Sequence, residues 1–104
     1  MERKKVVYIA GPITGVEEYW VPFCAVSQQL QKQGYAVLDP SNLPEGMLPE
    51  QYMRICFAMI DCADAVLFLP GSDQSQGAML ELKYCLYTGK PHADSIERLK
   101  EVTA

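Results

Sequence analysis

The sequence has few of the patterns that would indicate a membrane or a nucleic acid as partner. It contains no apolar run near the ~20 residues that a membrane-spanning helix needs. The basic start "MERKK" is followed by too short an apolar stretch for a secretory signal. Basic residues number 9 against 13 acidic ones, and a net charge of -4 argues against a phosphate backbone as the main partner. We therefore expect a cytoplasmic protein with no membrane or nucleic-acid partner.

Patterns that bind metal ions are also scarce. The sequence holds a single histidine, His92, and no pair of cysteines has the spacing C-x-x-C. This spacing argues against a zinc site, and we predict neither a metal nor a cofactor. Each of the four cysteines stands among apolar residues, so we expect free, buried thiols in a reducing compartment: Cys24, Cys56, Cys62 and Cys85.

The sequence does contain short apolar runs that alternate with amphipathic segments. Its 104 residues predict one domain, 1–104. Strands are predicted at "KKVVYIAG", "YAVLDP" and "DAVLFLPG", and helices over about 20–33, 50–60, 75–89 and 94–102. The strands are uniformly apolar, which is typical of a sheet covered on both faces. The order predicts an α/β fold: a small flavodoxin-like, doubly wound parallel sheet of three to four strands, with helices on both faces.

Glycines and prolines gather directly after the predicted strands. The segments "YIAGPITG" (8–15), Asp39-Pro40 and "PGSDQSQG" (70–77) each follow one. Ligands of open parallel sheets bind outside the carboxyl ends of the strands, so these segments predict a site at one edge. Asp61 and Asp64 precede the third strand and are expected at the opposite edge. "GPITG" matches neither a P-loop nor a dinucleotide-binding fingerprint.

Glu81 is the main candidate for chemistry. On a helix of about 100° per residue it lies roughly 60° from Ala78, at the rim of the apolar stripe formed by Ala78, Leu82, Cys85 and Leu86. No cation stands three or four residues away. A carboxylate beside an apolar face without a local partner is a candidate for a working group. The alternative is an ordinary glutamate whose carboxylate reaches water.

Other candidates have equally ordinary alternatives. Ser75 is expected to cap the helix that carries Glu81, and that helix end also offers N–H groups to an anionic or hydroxyl-rich ligand. Tyr8 lies near the carboxyl end of the first strand, where tyrosines mostly pack. Asp39 follows the second strand at the same edge. His92 is predicted in a solvated loop.

Three blocks of the sequence resemble the nucleoside 2-deoxyribosyltransferase-like superfamily, most closely its short bacterial and phage members. They are "YIAGPITG", "CADAVLFLPG" and "SQGAMLELKYCLYTGKP", and the resemblance covers most of residues 6–91. It implies a flavodoxin-like fold and cleavage of the N-glycosidic bond of a nucleoside or nucleotide. It also implies that Glu81 is the nucleophile and forms a glycosyl-enzyme intermediate, which water or another base resolves.

The resemblance further implies how a small nucleoside or nucleotide is held. Ser75 falls where relatives contact the sugar or its phosphate, and the loop after the first strand lies against the ligand. Together with the edge position of Asp39, the predicted substrate-binding set is Tyr8, Gly11, Pro12, Asp39, Ser75 and Gly77. Relatives often share sites between subunits, so a homo-oligomer is expected, consistent with three apolar or aromatic residues on the outer side of the helix: Leu80, Tyr84 and Tyr87.

Two positions depart from the family pattern. Relatives usually carry an aspartate that helps the base to leave where this sequence has Cys56, and a tryptophan where it has Ser72. Loss of a general acid typically costs ~10²–10⁴-fold in rate. Three hypotheses therefore stay open: an N-glycosidase or deoxyribosyltransferase, a non-catalytic protein that senses or sequesters a small nucleotide, and a structural or interaction module.

Overall fold

The computed structural model describes residues 3–104, and in this part of the chain four parallel strands form one sheet. Residues 1 and 2, which the sequence assigns to the same domain, lie outside the described residues. The elements in chain order are β1 (Val6–Ala10), α1 (Trp20–Lys32), β2 (Ala36–Leu38), α2 (Pro49–Cys62), β3 (Ala65–Phe68), α3 (Gln76–Thr88), β4 (His92–Ala93) and α4 (Ile96–Thr103). Short 3₁₀ turns follow β2 and β3, at Pro40–Asn42 and Ser72–Gln74.

The strand order is β2-β1-β3-β4, and every neighbouring pair is parallel. Tyr8 of β1 lies between Leu38 of β2 and Val66 of β3. The predicted α/β, flavodoxin-like doubly wound fold is confirmed. The chain moves from β1 to β2 on one side and returns to β3 on the other. The topological switch point, where such folds bind ligands, therefore lies between the carboxyl ends of β1 and β3.

Both faces of the sheet are covered, which explains why the strands are apolar throughout. Alternate residues of β1 point to opposite faces. One layer packs the sheet against α1 and α4, and its core includes Val7, Ile9, Phe23, Leu30 and Leu99. The other layer packs it against α2 and α3, and its core includes Tyr8, Ala10, Cys56, Ile60 and Cys85.

The caps that fix the ends of α3 and α4 follow from the sequence. The hydroxyl of Ser75 accepts a hydrogen bond of 3.2 Å from the N–H of Ala78, and α3 ends at Gly89, whose φ is +76°. The hydroxyl of Ser95 accepts from the N–H of Arg98 in the same way. These side chains satisfy N–H groups that have no partner inside the helix.

Asp64 lies at the amino ends of the strands, away from the switch point. Asp64 accepts hydrogen bonds of 2.7 Å from the guanidinium of Arg3 and from the N–H of Val6. The hydrogen bond from Arg3 lowers the pKa of Asp64. The carboxylate joins the starts of β1 and β3 at the edge opposite the switch point, where its place before β3 predicted it.

Three expectations from the sequence are wrong in detail. His92 lies in β4, paired with Val66, and not in a solvated loop. A strand of two residues is too short to leave a periodic pattern. Leu86 is 63% exposed, although the helical wheel places it on the core stripe, because α3 buries Ala78, Glu81 and Cys85.

The third error concerns the cysteines. Cys56 and Cys85 are buried and free, as expected, but Cys24 and Cys62 are exposed. Cys24 follows the buried Phe23 on α1 and so turns toward solvent, and Cys62 is the last residue of α2. Within residues 3–104, no helix is long and apolar enough to cross a membrane.

Candidate functional site

A carboxylate is buried between the sheet and its helices near the switch point. Glu81 of α3 is only 5% exposed. The hydroxyl of Tyr8 donates a hydrogen bond of 2.6 Å to Oε2 of Glu81. The alternation of β1 directs Tyr8 to the face that α2 and α3 cover, so that its phenol reaches α3. The interpretation of Glu81 as a glutamate whose carboxylate reaches water is therefore wrong.

Burial sets the ionisation of this pair. It raises the pKa of Glu81 to about 7, against the opposite effect of the hydrogen bonds from Tyr8 and Cys56. Burial and the charge of Glu81 both raise the pKa of Tyr8, so its hydroxyl stays protonated and remains a donor. At neutral pH the carboxyl group of Glu81 is therefore partly ionised and partly protonated. A pKa near the working pH is typical of groups that take part in catalysis.

Cys56 of α2 is a third side chain in the buried layer that contains Tyr8 and Glu81. It is 7% exposed and lies in the same buried layer as Tyr8, and both Tyr8 and Glu81 affect the pKa of its thiol. Burial raises the pKa of the thiol to about 11, so it is protonated at neutral pH and is not a thiolate nucleophile. Cys56 lies outside the predicted binding set. Only the sequence resemblance to the nucleoside 2-deoxyribosyltransferase-like superfamily, whose members carry an aspartate at this position, drew attention to Cys56.

Glycine at position 11 allows the loops after β1 and β3 to meet. A Cβ atom there would lie 3.1 Å from Cβ of Leu69 and 3.1 Å from Cζ of Phe23. Gly71 has a φ of +87°, and a Cβ there would lie 3.4 Å from Cγ of Pro12. The glycines and Pro12 therefore bring two loops into close contact at the switch point, which is a packing reason for the motif "YIAGPITG".

The remaining predicted binding residues occupy two different places. Ser75 and Gly77 begin α3, the helix that carries Glu81, and Gly77 has space beside it, since a Cβ atom there would lie 3.8 Å from Sδ of Met53. Asp39 accepts a hydrogen bond of 2.8 Å from the N–H of Ser41. It lines a groove on the side of α1, together with residues of that helix. The structure thus joins Tyr8 to Glu81 but places Asp39 in another groove.

A second groove is lined by residues of α3 and α4, at the carboxyl ends of β3 and β4. Its volume is about 660 Å³, and Phe68, Met79, His92 and Arg98 are among its lining residues. Glu81 is not part of its lining. Across residues 3–104, no three His, Cys, Asp or Glu side chains are grouped as metal ligands would be. The buried cluster holds one carboxylate, Glu81, and the hydroxyl of Tyr8 that donates to it.

The fold and the site together define an α/β protein with a doubly wound sheet and a buried tyrosine–glutamate pair near its switch point. Residues 5–93 match the family described as "Domain of unknown function (DUF4406)", and the chain belongs to that family. The matched segment contains Tyr8, Cys56 and Glu81 and ends at β4. A comparison with curated proteins gave no match.

Proposed function

We propose that the protein cleaves the N-glycosidic bond of a nucleoside or nucleotide, or transfers its deoxyribosyl group to another base, with Glu81 as the nucleophile. The observation that carries this proposal is the Glu81 carboxylate, 5% exposed and held by Tyr8 at 2.6 Å. The resemblance of three sequence blocks to the nucleoside 2-deoxyribosyltransferase-like superfamily supplies the class of reaction. The fold is compatible with that class but does not by itself select it.

The proposed reaction proceeds in two displacements. An oxygen of Glu81 attacks the anomeric carbon of the sugar, and the bond to the base breaks as its electron pair leaves with the base, which takes a proton from water. Water or a second base then attacks the same carbon, loses a proton to solvent and releases the carboxylate. Tyr8 binds Oε2, which leaves Oε1 for the attack. The low-dielectric surroundings strengthen the interaction between the carboxylate and the positive charge that develops on the sugar.

The segments at the switch point supply the proposed contacts with substrate. The loop at Gly11 and Pro12 and the start of α3 at Ser75 and Gly77 lie at the carboxyl edge of the sheet. N–H groups at the start of a helix bind phosphate or sugar hydroxyls. The proposed substrate is therefore a small nucleoside or nucleotide, and the proposed assembly is a cytoplasmic homo-oligomer.

Cys56 favours a second function, in which the protein binds a nucleotide without cleaving it. A thiol whose pKa is about 11 gives up its proton far less readily than the carboxylic acid of relatives. Without a general acid, release of the base slows by ~10²–10⁴-fold. A protein that binds a nucleotide at the switch point but lacks this acid would sense or sequester its ligand.

A panel of nucleosides and their 5′-monophosphates, with free base measured by chromatography and binding by calorimetry, tests both functions. Glu97→Gln is the matched control for Glu81→Gln, because Glu97 is exposed in the first turn of α4. Base release by the wild type and Glu97→Gln, but not by Glu81→Gln, supports catalysis. Binding without release, even in Cys56→Asp, supports the sequestering function. Neither binding nor release would contradict both.

A further inference from the structure

We propose that the groove beside α1 is a second ligand site, which binds an uncharged molecule by a vicinal diol like that of ribose. The groove has a volume of about 610 Å³, which is within the usual range of small-molecule sites. Its lining comes from α1 and from the turn that follows β2, at residues 39–42. Glu81 is not part of the lining, so the proposal does not rest on the proposed function.

Asp39 supplies a hydrogen-bond acceptor in this groove. It follows β2, and the N–H of Ser41 donates a hydrogen bond of 2.8 Å to its Oδ1, which fixes the direction of the carboxylate. Among residues 3–104, no donor binds Oδ2. A carboxylate oxygen only accepts, so the ligand must bring hydroxyl or N–H groups. In doubly wound sheets that bind dinucleotides, an acidic residue after the second strand binds a ribose hydroxyl in this way.

The charge of the groove argues against a phosphate on the ligand. Asp39 is the only charged residue in the lining, which contains no lysine or arginine. A phosphate group would be repelled by this carboxylate and would find no cation to pair with. The segment "GPITG" (11–15) after β1 also lacks the glycine pattern that binds a pyrophosphate. An uncharged ligand with several hydroxyl groups therefore fits best.

Trp20 provides a flat apolar surface in the same groove. It is 49% exposed and belongs to the lining. The ring of Tyr19 packs against it nearly at a right angle, with 5.2 Å between the ring centroids, and the hydroxyl of Tyr19 donates to Glu45. The indole is therefore supported on one side and accessible on another. Aromatic rings of this kind stack on bases and on the apolar faces of other rings.

Three amide side chains add polar groups around this surface. Gln28 and Gln31 line the groove from α1, and Asn42 lines it from the turn after β2. An amide both donates and accepts hydrogen bonds, so it can bind a hydroxyl in either role. The carboxylate, the indole and the amides together match a hydroxylated ring, and ribose in a nucleoside and a free sugar are its two sources.

The fluorescence of Trp20, the one tryptophan in the chain, reports on the groove directly. The titration uses Glu81→Gln, so that no nucleoside is consumed, with adenosine, 2′-deoxyadenosine and methyl glucopyranoside as ligands. We expect adenosine to quench the fluorescence and to bind at least about tenfold more tightly than 2′-deoxyadenosine, which lacks one hydroxyl of the diol. Binding of the glucoside in place of adenosine, if it depends on Asp39, would identify a free sugar as the source of the diol.

Asp39→Asn should weaken binding by about tenfold or more, because the charged acceptor is lost. The asparagine keeps an oxygen for the N–H of Ser41, and thermal unfolding checks that the fold persists. Asp73→Asn is the matched control and should bind like the parent, because Asp73 is exposed after β3 and lines the other groove.

Three results would each overturn the proposal: no quenching by any of the three ligands, equal affinity for adenosine and its deoxy form without binding of the glucoside, or the same affinity in Asp39→Asn as in Asp73→Asn. Base release is measured separately on the wild type. Its absence would count against the proposed function alone.

Discussion

The hydroxyl of Tyr8 and the carboxylate of Glu81 meet at 2.6 Å although 73 positions separate them in the chain. The contact depends on the topology. β1 lies beside β3 in the centre of the sheet, and α3 returns across the face to which Tyr8 points. A buried carboxylate with a neutral donor at a switch point is the feature on which the account of function depends.

Tyr8→Phe should raise the pKa of Glu81 and slow the reaction. The ring stays in the core, but the donor that favours the ionised carboxylate is lost. Because the nucleophile must be ionised, activity at pH 7 should fall by about tenfold and the loss should shrink as pH rises. A pH profile of kcat/KM checks this. An equal loss at every pH would indicate that the hydroxyl contributes nothing to ionisation.

Glu81→Gln should stabilise the protein at neutral and alkaline pH. Burial raises the pKa of Glu81 from 4.5 to about 7, so between these values the folded state binds more protons than the unfolded state. The wild type therefore loses stability as pH rises through this window, by about 3 kcal/mol at most.

The amide is never charged, so the variant avoids that loss. At pH 8 we expect its free energy of unfolding to exceed that of the wild type by about 1–3 kcal/mol. Below about pH 4.5 this advantage should disappear, since both side chains are then neutral. Urea unfolding at pH 4, 6 and 8 measures the difference, and a constant difference across these values would be inconsistent with a raised pKa.

Substitution of two glycines should separate packing from binding. In Gly11→Ala the new methyl lies 3.1 Å from Leu69 and from Phe23, so the loops must shift, and we expect a loss of about 1–3 kcal/mol. Gly77→Ala meets its nearest neighbour at 3.8 Å and lies in the first turn of α3, so stability should not fall. If Gly77 contacts ligand, its variant should bind nucleotide more weakly. Thermal unfolding and calorimetry distinguish these effects.

The sequence predicted the fold and its edges well, because the relevant signals are local. Apolar runs ended by glycine or proline indicated β1, β2 and β3, and serines before helices indicated the caps of α3 and α4. It allowed for a fourth strand but did not locate β4, because two residues are too few to show a periodic pattern. It placed Leu86 inside, because a helical wheel does not show where the sheet stops covering a helix. It placed Cys24 inside, because apolar neighbours in the sequence do not show which way a side chain on a helix points.

The candidate site was predicted less completely than the fold. The helical wheel placed Glu81 at the rim of an apolar stripe, but it did not predict how deeply the side chain is buried. That depth depends on how closely α3 packs against β1. Tyr8 and Glu81 were both predicted, and the structure brings them into contact. Asp39 shares their edge but faces α1, because neighbouring residues along a strand alternate between faces.

Light scattering tests the expected homo-oligomer. Of the three outward-facing residues named from the sequence, Tyr87 is 91% exposed and Leu80 is 43% exposed, whereas Tyr84 stacks on Phe57. Exposed apolar side chains grouped on one helix are typical of an interface. We expect at least a dimer at micromolar concentration, weakened by Tyr87→Glu. A monomeric wild type would contradict this expectation.

The most direct test of the central claim, that Glu81 is the nucleophile, uses a 2′-fluoro derivative of a nucleoside that the protein cleaves. The protein is mixed briefly with this derivative, its intact mass is measured, and any adduct is located by peptide mapping. A fluorine at C2′ of the sugar slows breakdown of the glycosyl ester, because it destabilises the positively charged transition state. We predict a mass increase of one glycosyl group, located on Glu81 and absent from Glu81→Gln. An adduct on another residue, or base release by Glu81→Gln at the rate of the wild type, would show that Glu81 is not the nucleophile.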